Sequence, residues 1–259
     1  MNATARMELR LRYRTAAFAG VGLVIVIMIV GALYPSLKDT FGKLNVPQGV
    51  ANLLGGADYS TLTGWLQSEI IATYGPLVFC AVAITTATST TAGDEDDRVL
   101  ATLLAHPVAR TRLLLAKTLA LTILIAAVSI ATWIGLIIGV AIAGGGISSA
   151  HLAAQSLHLG LLGLALGTLA LALGASTGRK PIAAGGAAGV AILGFLLNGL
   201  APLIGAVSWT QYLSPFYYYA SGRPLTNGAQ WQHLAVLAAA SLALLGAAVA
   251  GFRRRDLRG

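Results

Sequence analysis

Charge is scarce in this sequence: 10% of its 259 residues are charged and 56% are hydrophobic. A soluble globular domain carries about 25% charged residues, and there are too few polar groups here to cover the surface of one. A soluble fold is thereby excluded, and a chain that faces lipid remains. Cysteine is nearly absent as well. The single Cys80 lies in an apolar run, so no intrachain disulfide can form and the side chain is expected to pack. A phosphate-binding loop ending in Gly-Lys-Ser or Gly-Lys-Thr is missing altogether. The stretch "ASTGRKP" from Ala175 lacks the first glycine at the required spacing, so the chain itself is expected not to bind ATP.

What is present is apolar length. A bilayer core about 30 Å thick needs about 20 mostly apolar helical residues, and six stretches qualify: 16–34, 70–92, 113–143, 152–175, 181–206 and 232–251. The expected fold is all-α, a single transmembrane domain over 1–259 with six spans. The first span is expected to be a retained anchor, because no small-residue cleavage pattern follows it. The third is long enough to begin in the interface, with Lys117 snorkelling to the headgroups. "STGRK", Ser176 to Lys180, followed by Pro181 as first helical residue, predicts a tight turn between the fourth and fifth spans.

The formal net charge of +8 does not form the basic face of a nucleic-acid-binding domain, since Lys and Arg cluster beside apolar runs. They read as topology signals. With both ends on one side, that side holds 14 of the 17 Lys and Arg residues, leaving Lys38, Lys43 and Arg223 on the other. The positive-inside rule then puts both termini in the cytosol. Segment 35–69 is expected to fold as short helices at the outer surface. Segment 207–231 carries Trp209, Tyr212, Phe216, Tyr217, Tyr218, Tyr219 and Trp231, an aromatic density that suits an interfacial belt or a part in substrate exit.

Between the second and third spans lies "GDEDDRVLATLLAHPVARTRLLLAK", Gly93 to Lys117. As a helix from Glu95 to Ala105, it gathers Val99, Leu100, Leu103 and Leu104 on one face. Asp96 and Asp97 complement the positive end of the helix dipole, and Pro107 ends the helix. About ten helical residues are marginal alone in water, so something must hold the apolar face. An ordinary charged loop and a docking helix for a partner both fit. A metal site built from Asp94, Glu95, Asp96 and Asp97 does not, because consecutive helical residues point about 100° apart.

The same stretch resembles the cytosolic loop of type 2 ATP-binding-cassette exporter permeases. There an acidic pair, a Gly-Thr-Leu and a run ending in Pro-Val-Ser-Arg lie between the second and third spans. The matching residues are Asp94, Glu95, Asp96, Leu100, Leu103, Leu104, Pro107, Val108 and Arg110, with Lys117 opening the next span. Arg98, Val99 and Ala109 depart from the pattern. "SPFYYYASGRPLTNG", Ser214 to Gly228, is similar to the segment before the last span in bacterial members.

The resemblance implies a coupling helix seated in a groove of a cytosolic ATPase, contacted through Glu95, Val99, Leu100, Leu103, Leu104, Pro107 and Arg110. It also implies an assembly of two such permeases and two ATPases in a bacterial inner membrane. ATP and Mg²⁺ would be held by the ATPase and no cofactor by this chain. Cargo such as drugs or other amphipathic, lipid-like compounds, hence multidrug efflux, is what the family suggests, with membrane lipid as a further partner.

Three glycine pairs four apart, Gly135 with Gly139, Gly163 with Gly167 and Gly185 with Gly189, permit close helix approach, within one chain or across a homodimer. The resemblance favours the fifth span for the dimer seam. Polar residues inside spans are few. His158 and His151 are about 10 Å apart along a helix, too far to share a metal. His158, Gln155 and Asn198 are candidates for a substrate path or for bonds between helices, and Glu69 is expected at the outer interface. The alternative, an ATP-independent channel or secondary transporter, calls for midplane charges and inverted repeats, neither of which stands out.

Overall fold

The computed structural model describes residues 3–41, 58–94 and 109–254. Its described residues are mostly helical with no strand, and six helices are long and apolar enough to cross a membrane. These are α1 (Ala3–Phe41), α2 (Leu62–Gly93), α3 (Arg110–Ile142), α4 (Ser149–Thr177), α5 (Lys180–Leu200) and, after two short helices, α8 (Trp231–Arg254). The short ones are α6 (Pro215–Ala220) and α7 (Pro224–Asn227), preceded by 3₁₀ turns over Ala201–Leu203 and Gly205–Leu213.

Consecutive spans alternate in direction. Ala3, Asp94, Arg110, Thr177, Lys180 and Arg254 therefore share one end of the bundle, here called the basic end. Close approaches of Gly174 to Thr91 and of Gly251 to Ser176 at that end agree with this. α4 is the central helix and packs on α2, α3, α5 and α8. The small residues of one of its faces make this possible: a methyl group at Gly163 would meet Phe79 at 3.2 Å, and one at Gly167 would meet Ala83 at 3.1 Å. Hydroxyls inside the spans are satisfied locally. Thr118, Ser129, Thr132, Ser156 and Thr168 each donate to the carbonyl four residues back, the arrangement lipid demands of a polar group without water.

α1 runs parallel to α3 along its length. Ala5, Glu8, Ala16, Leu23, Ile27 and Val30 form its buried stripe, spaced in threes, fours and sevens as one helix face requires, except for the longer step from Glu8 to Ala16. A methyl group at Gly31 would stand 2.4 Å from the carbonyl oxygen of Gly139, so the two backbones touch there. The helix thus starts well before the apolar run at 16–34. Its early turns are tied to α3 through Glu8, which pairs with Lys117.

Two stretches of α2, Gln67–Tyr74 and Ser89–Gly93, are π-helical. In the first, Thr73 Oγ1 donates to the carbonyl of Ser68, five residues back, at 2.9 Å. The fifth span ends its α-helix at Leu200, before Pro202, and continues as 3₁₀ turns. The turn between α4 and α5 closes through Gly178 at φ 62°, whose N–H donates to Gly174 at 2.9 Å. That left-handed conformation is one glycine adopts without strain. α5 itself begins at Lys180, one residue before Pro181.

The aromatic segment 207–231 does not act as a single belt. Trp209, Tyr212 and Trp231 are exposed, but Phe216 and Tyr219 are buried. Ser214 Oγ donates to the carbonyl of Gly194 at 2.7 Å and accepts the N–H of Phe216 at 3.1 Å. Phe216 stacks edge-on against Phe195 at 5.7 Å. Tyr219 donates its hydroxyl to the carbonyl of Ile71, at 2.7 Å, inside the first π-helical stretch of α2. The segment is a cap pinned onto α2 and α5 at the end opposite the basic one.

Candidate functional site

The densest charge inside the bundle lies at the basic end, where α1, the end of α2 and the start of α3 meet. Lys117, two turns into α3, is 2% exposed and Glu8 of α1 is 1% exposed, and Lys117 Nζ stands 3.0 Å from Glu8 Oε1. Nζ also contacts Asp94 Oδ2 and donates to the carbonyl of Thr90. Arg12 closes the ring from above: its Nε is 3.2 Å from Glu8 Oε2 and its Nη2 is 3.5 Å from Asp94 Oδ1. Two cations and two anions balance. Thr90 lies in the second π-helical stretch of α2, and its carbonyl joins the two carboxylates around the amine.

Lys117 therefore does not snorkel to headgroups; its amine turns inward to a paired carboxylate cage. The cause is energetic, since several kcal/mol of desolvation per buried ion is offset only by close, hydrogen-bonded partners. Glu8 was not singled out from sequence. The signal available was a lone acid among Arg6, Arg10, Arg12 and Arg14, two turns upstream of an apolar run.

Asp94 stands directly before segment 95–108. Glu95, Val99, Leu100, Leu103, Leu104 and Pro107 lie outside the described residues, and of Arg110 the structure describes the backbone, as the first residue of α3. Of the four consecutive acids, Asp94 is the described one. Among the described residues no group of three or more His, Cys, Asp or Glu side chains gathers that could hold a metal.

Two apolar grooves open on the sides of the bundle. The larger, about 570 Å³, lies between α2 and α5, with Leu77, Cys80 and Ile84 on one wall and Ala188, Ile192 and Phe195 on the other. The second, about 350 Å³, lies between α3 and α4, near Ser129, Trp133, Ser156 and Gly160. None of the three residues proposed for a path lines either groove.

Gln155 and His158 come together, fully buried on one face of α4. His158 Nε2 accepts the backbone N–H of Gln230 at 3.3 Å, which leaves the proton of the neutral ring on Nδ1. Gln155 lies beside the Tyr219 hydroxyl without a well-formed hydrogen bond of its own amide among the described residues. Burial pushes the Tyr219 phenol well above its ordinary pKa range. Asn198 is apart from them, half-buried near the end of α5, and Glu69 is half-buried in the first π-helical stretch of α2.

The glycine pairs separate into two kinds. Gly135 and Gly139 lie against Val24 and Ile27 of α1, and Gly163 and Gly167 against α2, all within the chain. Gly185 and Gly189 of α5 face open space, with no side chain or other element within 4 Å of a methyl group built on either. Ile182, Val190, Ile192, Leu193 and Leu196 are exposed along the same helix.

Against models of known protein families, residues 3–257 match that of the ABC-2 family transporter protein. No curated protein matches the sequence.

Proposed function

The chain belongs to the ABC-2 transporter family, and we propose that it is the membrane-spanning subunit of an ATP-driven exporter. Membership makes it a multi-pass transport component and implies a partner ATP-binding subunit. The observation that carries the finer reading is the extent of the match, 3–257, which takes in all six spans and segment 95–108.

In this reading both termini and segment 95–108 are cytosolic, in a bacterial inner membrane. Glu95, Val99, Leu100, Leu103, Leu104, Pro107 and Arg110 form the coupling helix that docks on the ATPase. ATP and Mg²⁺ belong to that partner, in two copies. A second copy of the chain packs on the open face of α5 through Gly185 and Gly189, since small residues give helices close contact where lipid provides no hydrophobic drive to associate. ATP binding moves the coupling helix and shifts the bundle between states, and the cargo responds only through its different affinity for those states.

The α2/α5 groove, walled almost wholly by apolar side chains, supports an amphipathic, lipid-like cargo such as a drug. Asn198, Gln155 and His158 are the polar groups proposed for the path, Asn198 on α5 being the nearest in the chain to the groove.

The test is purification of the tagged chain from its native membrane in mild detergent, with mass spectrometry of what accompanies it. A near one-to-one polypeptide carrying a phosphate-binding loop is expected. A folded, dimeric chain that brings no such polypeptide through several detergents would overturn the reading.

A further inference from the structure

The ionic ring at the basic end bridges two points of the chain that flank segment 95–108. Asp94 is the residue before that segment and Lys117 lies two turns into the helix that follows it, and the two side chains are paired. The same Lys117 amine bonds Glu8 of α1, and Arg12 of α1 reaches both carboxylates. Both flanks of the segment are thereby fastened to each other and to the first helix.

Below this ring α1 and α3 continue in parallel, in contact at Gly135 with Val24 and at Gly31 with Gly139. The ring is thus the end fastening of a long two-helix unit. It is also the part of that unit held by charge: opening it strands ions that are 1–2% exposed, so the ring stays shut unless a partner for each charge is supplied.

We propose that Glu8, Arg12, Asp94 and Lys117 form a clamp that makes both flanks of segment 95–108 move together with α1, so that a force on the segment is transmitted to the first and third spans as one body. This rests on the reading of that segment as the ATPase contact. The four are positioning residues; none is required to touch nucleotide or cargo. The physical reason to place such a clamp here is leverage. A segment tethered only through its own backbone could yield by unwinding the last turn of α2 or the first turns of α3. A cross-link between those turns converts the same push into motion of whole helices.

The test uses charge-balanced variants, so that loss of the link is separated from a stranded charge. Asp94→Asn with Lys117→Met leaves Glu8 and Arg12 paired; Glu8→Gln with Lys117→Met leaves Arg12 and Asp94 paired and serves if the first does not fold. Each is purified with its copurifying ATPase, and amide hydrogen exchange is read over 5–14 and 111–117, without nucleotide and after trapping with ATP, Mg²⁺ and vanadate. In the wild type, trapping is expected to change exchange in both windows. In the variants, exchange at 111–117 without nucleotide rises by about tenfold or more, as local opening becomes easier. The response to trapping then disappears from 5–14 while ATP hydrolysis persists.

Unchanged exchange at 111–117 would show that the ring does not hold these turns. An undiminished response at 5–14 would show that it holds them without transmitting. Either result overturns the proposal. If the wild type brings no ATPase, the exporter reading falls and transmission with it, whereas the nucleotide-free comparison still decides whether the ring fastens the flanks.

Discussion

Replacing Gly31 by alanine tests the packing on which α1 depends. The added methyl would lie 2.4 Å from the carbonyl oxygen, 2.9 Å from the carbonyl carbon and 3.0 Å from the Cα of Gly139. All three atoms are backbone, so no rotamer change can relieve the clash and α1 must move away from α3. Overpacking of this kind costs about 1–3 kcal/mol, and 1 kcal/mol shifts the midpoint by about 2–4 °C for chains of this size. Gly31→Ala should therefore lower the midpoint of thermal unfolding by about 3–10 °C.

Gly22→Ala is the matched control, on the same helix but with no side chain or other element within 4 Å of the new methyl. It should be neutral or slightly stabilising, because alanine is the better helix former by about 1 kcal/mol. The assay is the fraction of monodisperse protein that survives a heating series, read by size-exclusion chromatography. Equal stability of Gly31→Ala and the wild type, or an equal loss in both variants, would refute close backbone contact between α1 and α3.

Tyr219→Phe removes the donor to the Ile71 carbonyl and should cost about 1–3 kcal/mol, the penalty of a buried acceptor left alone, seen in the same heating series. Because the folded phenol is raised above its ordinary value of about 10, its contribution is present below that pH and is lost as pH rises through the folded value. The wild type should lose stability on going above about pH 10, and Tyr219→Phe should lose less. Gly185→Leu should leave the protomer as stable as the wild type, since its surroundings are empty. It should also weaken self-association by more than about tenfold, or ~1.4 kcal/mol, in an equilibrium measurement in detergent. Leu103→Arg should insert and fold normally yet uncouple the ATPase; normal transport by that variant would remove Leu103 from the contact.

Hydropathy located all six long apolar helices because apolar length in lipid leaves little alternative to helix, but it does not show how far a helix runs beyond its apolar stretch. α1 begins at Ala3, well before residue 16, and Glu8 in its early turns pairs with Lys117 of α3, a tertiary partner that hydropathy cannot see. The turn at Gly178 was legible because Gly and Pro punctuate it locally. Two of the three glycine pairs were resolved only by structure, since spacing four apart is the same whether the neighbour is Phe79 or a second chain. The ring of Glu8, Arg12, Asp94 and Lys117 was hidden for the same reason: Lys117 and Glu8 are separated by 109 positions, and each alone reads as an interfacial charge. Tyr219 likewise read as one of seven belt aromatics, although its hydroxyl serves a carbonyl 148 positions away.

The central claim, that segment 95–108 is where an ATPase grips this chain, is tested most directly by placing a photoreactive amino acid at Leu103 in the full-length chain, irradiating intact cells and sequencing the adducts. A cross-link to a polypeptide carrying a phosphate-binding loop is expected, and its loss when the same probe is moved to exposed Leu242 of α8. Adducts at Leu103 confined to lipid or to the chain itself would contradict it.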